Sequence, residues 1–333
     1  MSERWENVFA EEALDFPELN RFELACVSRL FGGSSPTALG GRYSLVRVPS
    51  DNVESFVKRL CGSHTAGIFA GVFKPGEFDD GRDILRRIVG ERSYVIRTKP
   101  YRANYIKELA RVLGGSVDVR NPEVLVVANE IPAGVLVGAV TAPTARRLLS
   151  SEPAKRWPYF HPGVLAPYFS GILCNLTLCP ARGLLYDPFC GAGSTLVAGC
   201  RLGLRVVGGE LSKKQVYGAR RNVNHFCDGV EGILRADAVH PYLRPDTANA
   251  AVFDPPYGRV SSLFGRSLTG LLRACLLVTK AVLHSGGRAV FLAPSSIDLA
   301  QIVSEVGLKM VYQHEIRVHH SLTRVISVTE KGG

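Results

Sequence analysis

Apolar and polar positions alternate regularly in the second half of the chain and more irregularly in the first. From Leu184 onward, short apolar runs over residues 184–187, 205–210, 232–236, 250–254, 288–293 and 308–314 read as strands. Between them, residues 194–202, 213–225, 268–283 and 297–306 carry helical spacing. This alternation predicts an α/β fold with an open, mostly parallel sheet, and residues 322–329 would add a strand beside 308–314.

The first half predicts smaller α+β modules. Residues 5–10 read as an edge strand, and Leu19, Phe22, Cys26 and Leu30 fall at helical spacing before Gly32-Gly33 ends that helix. A strand over 43–48, a helix over 53–60 that Asp51 can cap, and a strand over 64–73 complete a first module, residues 1–75. A second, residues 76–143, has a short basic helix over 84–89, a strand over 94–98 and an amphipathic helix over 104–113. That helix turns Ile106, Leu109 and Leu113 inward and Lys107 and Arg111 outward. Strands over 124–129 and 135–140, joined through Pro132-Ala-Gly134, form a hairpin. Residues 144–157 are basic, polar and broken by Pro153, which predicts a linker to a domain over 158–333.

Charge adds a partner to this picture. The chain carries a formal net charge of +10, which favours a polyanion. Residues 82–120 hold ten Lys or Arg against four Asp or Glu, so the excess is concentrated in the second module. The candidate contacts to nucleic acid there are Arg92, Arg97, Lys99, Arg102, Lys107 and Arg111. No apolar run approaches the roughly 20 residues of a membrane span. The start, Met1-Ser-Glu-Arg-Trp-Glu-Asn, is unlike a signal peptide, so a soluble cytoplasmic protein is expected. The eight cysteines include no CxxC pair, and His314, His319 and His320 lack companion ligands at metal spacing; no metal is expected. Cys200 and Cys275 read as small buried hydrophobes, and no base is placed beside Cys190 to make it a nucleophile.

Two stretches carry the chemistry. In Asp187-Pro-Phe-Cys-Gly-Ala-Gly-Ser194 a strand ends at Asp187, Gly191 and Gly193 let the backbone approach a ligand, and Ser194 opens a helix. A nicotinamide fingerprint would need glycine at Leu196, and a P-loop would need Gly-Lys-Ser/Thr. An adenosine with a methionine tail, S-adenosylmethionine, fits better than a phosphate. Glu210 follows where a carboxylate can accept ribose hydroxyls, and Asp237 where one can take the adenine amine. The second stretch is Asp254-Pro-Pro-Tyr257. The Asp254 carboxylate and Pro255 carbonyl can hold the two hydrogens of a base amine and aim its lone pair at a methyl donor. Pro255 and Pro256 stiffen the turn, and Tyr257 can stack on an extruded base.

With these motifs, Phe160-His-Pro-Gly163, Asp254-Pro-Pro-Tyr-Gly-Arg259 and Arg317-Val-His-His-Ser-Leu-Thr-Arg324, the chain resembles the archaeal–eukaryotic THUMP-domain tRNA guanosine N2-methyltransferases that modify position 10. The basic block with Val117-Asp-Val-Arg-Asn-Pro-Glu123 is similar to a THUMP domain. The resemblance implies a ferredoxin-like module over 1–75, THUMP over 76–143 and a Rossmann-like methyltransferase over 158–333. It implies S-adenosylmethionine held by His161, Pro162, Asp187, Phe189, Cys190, Gly191, Ala192, Gly193, Ser194, Glu210, Leu211, Asp237, Ala238 and Asp254. It implies guanine held by Asp254, Pro255, Pro256 and Tyr257, and a tRNA partner gripped by the THUMP region. A monomer is expected, with a small activator subunit left open. The loop here is Cys-Gly-Ala-Gly-Ser where the family more often has Gly-Thr-Gly-Gly. Arg317 and Arg324 either contact phosphate or close the base pocket, while Leu322 and Val325 can equally pack the last hairpin. Rival readings are N2-guanine methylation at another tRNA or rRNA site, an adenine-N6 or cytosine-N4 methyltransferase, which can share Asp-Pro-Pro-Tyr, and a non-catalytic RNA-binding protein. The intact acids at 187, 210, 237 and 254 argue against the last.

Overall fold

The computed structural model describes residues 4–228, 230–256, 267–319 and 322–333. It divides into two compact units, residues 1–148 and 149–333.

The first unit contains β1 (Trp5–Glu12), α1 (Pro17–Leu30), β2 (Thr37–Gly40), β3 (Tyr43–Pro49), α2 (Val53–Arg59), β4 (Ser63–Phe73), α3 (Arg82–Val89), β5 (Tyr94–Lys99), α4 (Ala103–Leu113), β6 (Val124–Ile131) and β7 (Gly134–Val140). One seven-stranded sheet in the order β2-β3-β1-β4-β7-β6-β5 runs through the whole unit, joined where β4 pairs with β7. β1 is not the edge strand expected; it lies between β3 and β4. Val8, Phe9 and Ala10 are each fully buried, because Val8 and Ala10 pack with Leu24, Val27 and Phe56 while Phe9 packs with Tyr43, Val127 and Leu136. A strand covered on both faces loses its polar alternation, and β2 takes the edge instead.

Residues 144–157 are structured. Helix α5 (Ala145–Ser151) is followed by a 3₁₀ turn, Ala154–Arg156. Trp157 is buried with its ring 5.2 Å from that of Phe226, and its indole N–H donates to the Glu152 carbonyl at 2.9 Å.

The second unit continues with α6 (Pro167–Leu176), β8 (Leu184–Asp187), α7 (Ser194–Arg201), β9 (Arg205–Glu210), α8 (Lys213–Phe226), β10 (Gly232–Arg235), β11 (Ala248–Phe253), α9 (Leu268–Val282), β12 (Leu283–Pro294), α10 (Leu299–Glu305), β13 (Lys309–His319) and β14 (Leu322–Glu330). Its sheet runs β10-β9-β8-β11-β12-β14-β13. The first five strands are parallel, and β14 inserts antiparallel between β12 and β13. The chain steps outward from β8 to β9 and β10, then returns to the other side of β8 with β11. Strand order therefore reverses between β8 and β11, and the crevice at their carboxyl ends is where such sheets bind ligands.

Two features depart from the sequence reading. Helix α6 was not expected, because every residue from Phe169 to Leu176 is buried and a helix without a polar face has no visible period. Cys200 is not a free buried hydrophobe; it forms a disulfide with Cys227, joining the end of α7 to the end of α8.

Candidate active site

A cavity of about 590 Å³ opens at the carboxyl ends of β8, β9, β10 and β11. Of the residues proposed from sequence, His161, Pro162, Phe189, Cys190, Gly191, Ala192, Ser194, Glu210, Leu211, Asp237, Ala238, Asp254, Pro255 and Pro256 line it. Asp187 and Gly193 lie behind the wall, and Tyr257 falls outside the described residues, as do Gly258, Arg259 and His320.

Asp187 ends β8 and is 1% exposed. Its carboxylate accepts from the Phe189 N–H at 2.9 Å, which turns the chain at Pro188. Burial pushes its carboxyl up to about 8, opposed by the Phe189 N–H and the Thr195 hydroxyl and reinforced by the charges of Glu210 and Asp254. Asp187 is therefore a buried organiser of the loop.

Glu210 ends β9 and holds the loop from the other side. One carboxylate oxygen accepts from the Gly191 N–H at 3.2 Å and the other from the Ser212 N–H at 2.8 Å. Gly193 adopts a left-handed φ of 87°, and a Cβ there would sit 3.4 Å from Ala219 of α8. The left-handed turn thus calls for glycine at this position. Asp237, just past β10, accepts from the Val239 N–H at 3.3 Å.

Cys190 is buried within the loop. Burial, with the charges of Asp187 and Glu210, holds its thiol well above the ordinary range. A thiol that stays protonated at neutral pH is not a nucleophile.

Asp254 follows β11, with Pro255 and Pro256 beside it on the cavity wall. Its Oδ2 lies 3.4 Å from Nη1 of Arg324, and each side chain is 20% exposed. Arg324 also lines the cavity, so it stands beside Asp254 on that wall. Arg317 is exposed on β13. Among the described residues, no group of three His, Cys, Asp or Glu is placed to hold a metal ion.

Among the lining residues that the sequence reading missed are Thr195, Ser212, Gln215 and Leu271. A signal for two of these exists. Ser212-Lys-Lys-Gln215 begins two residues after Glu210 and has the spacing of a helix-capping box, and the Ser212 hydroxyl accepts from the Gln215 N–H.

In the first unit the basic candidates divide into two groups. Arg92 donates to the carbonyls of Ile88 and Val89. Lys99 pairs with buried Glu11 at 3.0 Å, Arg102 with Glu130 at 2.7 Å and Arg111 with Asp79 at 2.7 Å. Arg97 and Lys107 are exposed, and among the described residues no ion pair is recorded for either.

Residues 154–326 match the family described as RMKL-like, methyltransferase domain, a match that covers just over half the chain. A tRNA (guanine(10)-N2)-dimethyltransferase of Methanothermobacter thermautotrophicus is 28% identical over 95% of this chain and 97% of its own. One of the same name from Pyrococcus abyssi is 26% identical over 94% and 96%. The crystal structure of TrmN from Thermus thermophilus superposes with a TM-score of 0.51 over 98% of this chain and 100% of that one, at 20% identity, a likeness in fold.

Proposed function

We propose, starting from the fact that the chain belongs to the RMKL-like methyltransferase domain family, that it transfers a methyl group from S-adenosylmethionine to the N2 amine of a guanosine in tRNA. The observation that carries this reading is the presence of Asp254-Pro255-Pro256 and the glycine loop on the walls of one cavity.

The cavity suits the cofactor. Its volume of about 590 Å³ is that of a small-molecule site. Glu210 and Asp237 place carboxylates on its wall, which suits a ligand carrying a sulfonium and an ammonium. Nothing but the Phe189 carbonyl, at 3.9 Å, would face a Cβ at Gly191, so a ligand can reach the backbone there. When bound, S-adenosylmethionine supplies an electrophilic methyl group on sulfur.

The chain's part is to position the nucleophile. A guanine amine is weakly nucleophilic because its lone pair is delocalised into the ring. The Asp254 carboxylate and Pro255 carbonyl accept its two hydrogens and turn the lone pair outward. Two prolines in succession hold that carbonyl in place. The catalytic gain comes from orientation and preorganised charge rather than from a covalent intermediate.

The names of the two archaeal relatives support guanosine 10 as the target and the addition of two methyl groups, N2-methylguanosine being formed first. Residues 76–143 act as a THUMP module in this reading and grip tRNA through exposed cations such as Arg97 and Lys107. Cytoplasmic tRNA is the substrate pool; among the described residues no helix is long and apolar enough to cross a membrane. Incubation of unmodified tRNA with labelled S-adenosylmethionine, followed by nucleoside analysis, tests the reading. N2-methylguanosine is the expected product, and N6-methyladenosine or N4-methylcytidine would overturn it.

A further inference from the structure

We propose that Arg324 reads the O6 oxygen of the guanine whose amine Asp254 holds, and so makes the site selective for guanine. This inference rests on the guanosine reading above and extends it to the residue that sets base specificity.

Arg324 reaches the site because of strand direction. β14 runs antiparallel to the parallel strands, so its first residues lie at their carboxyl ends, where Arg324 pairs in register with Pro294 of β12. On its other side Arg324 pairs with Ile316 of β13. The backbone is fixed from both neighbours, and the Ser295 N–H donates to the Thr323 carbonyl at 3.0 Å. A side chain carried on an inner strand is a more exact reader than one on a loop.

The chemistry follows from the base. Along one edge, guanine presents its N2 amine, its N1–H and then O6: two donors and one acceptor. A carboxylate complements the two donors, and a cation beside it complements the oxygen. The Asp254–Arg324 pair, 3.4 Å apart, offers that acceptor and donor side by side. Entry of guanine exchanges the ion pair for Asp254 on the amine edge and Arg324 on O6. Adenine and cytosine place a ring lone pair next to the amine, which the carboxylate repels. A partly buried site amplifies such matches and mismatches.

The test replaces the target guanosine by 6-thioguanosine, which keeps the amine and N1–H but puts a weak sulfur acceptor where O6 was. Methyl transfer is compared for the wild type, Arg324→Gln and Arg324→Lys on both RNAs. The wild type should lose about 10–100-fold in kcat/KM on the sulfur substrate, the scale of one charged hydrogen bond. Arg324→Gln should treat the two RNAs alike within about threefold, as a double-mutant cycle with coupled sites requires. Arg324→Lys, which keeps the charge on a single ammonium, should fall between. Equal wild-type rates on both RNAs would overturn the inference without reference to any variant, and so would full discrimination in Arg324→Gln. A wild type that makes no N2-methylguanosine from the oxygen-bearing RNA would instead overturn the guanosine reading itself.

Discussion

The side-chain amide of Asn222 donates to the carbonyl of Ala192 at 2.9 Å, tying the middle of α8 to the glycine loop. The same amide donates to the Tyr159 carbonyl at 2.8 Å, and its oxygen accepts from the Tyr159 N–H at 2.8 Å. Tyr159 in turn lies across Gly218, where a Cβ would come within 2.1 Å of its ring. One fully buried side chain thus aligns two walls of the cavity, the loop at 191–193 and the segment leading into His161.

Asn222→Ala leaves buried polar groups on both segments without their partner. It should cost about 2–4 kcal/mol of stability and weaken S-adenosylmethionine binding roughly tenfold, of the order of one buried polar contact. Thermal unfolding and calorimetric titration check this. A variant that melts and binds like the wild type would show that the loop is held by its own turns alone.

Asp254→Ala removes the carboxylate that the proposed mechanism sets against the amine. Turnover should fall by about 10²–10³, the scale for one preorganised electrostatic contact, while cofactor affinity stays within about threefold, less than one hydrogen bond's worth. Single-turnover rates beside binding titrations separate the two. Full activity in this variant would remove Asp254 from the chemistry.

Asp187 gives the folded state a pH dependence. Its carboxyl rises from the ordinary value of 3.8 to about 8 on folding, chiefly through burial. The stability from this retained proton is full below about pH 4 and is lost as pH rises through about 8. Asp187→Asn stays neutral, so its unfolding midpoint relative to the wild type should climb from pH 5 to pH 8. Denaturant titrations across that range decide it; parallel curves would mean that Asp187 is ionised in the folded protein.

The Cys200–Cys227 disulfide closes a sequence separation of 27 residues behind the cofactor loop. Loop-closure entropy puts its contribution at about 3–4 kcal/mol. Cys200→Ser, or reduction of the wild type, should lower the unfolding midpoint accordingly. An unchanged midpoint under reducing conditions would show that the bridge adds no stability.

Among the basic residues of the first unit, Arg97→Glu with Lys107→Glu should weaken tRNA binding and flatten its salt dependence. Lys99, Arg102 and Arg111 make poorer probes, because reversing them also breaks pairs with Glu11, Glu130 and Asp79. Filter binding at several salt concentrations reads the slope. An unchanged slope would move the RNA surface elsewhere.

Much of the second unit is legible in the sequence because a parallel sheet writes each strand as an apolar run and each crossover as an amphipathic one. The acids at 187, 210, 237 and 254 stand at strand ends, so the convergence of the last three on one crevice, with Asp187 behind its wall, follows from topology. What could not be read depends on contacts between distant elements. Asn222 has no local motif, and its role exists only once α8 lies against the loop. The bond between Glu210 and Gly191 likewise needs β9 set beside β8. Arg324 reads as a phosphate contact or a pocket closer until β14 is known to insert between β12 and β13. Internal β1 and buried α6 were hidden for one reason: when both sides of an element are covered, the pattern that would identify it disappears.

The most direct measurement of the central claim compares two tRNA transcripts that differ only at position 10, one with guanosine and one with inosine, which lacks the N2 amine. With labelled S-adenosylmethionine, the guanosine transcript should yield N2-methylguanosine and the inosine transcript no label. Equal labelling of both would contradict the assignment of that amine as the atom methylated.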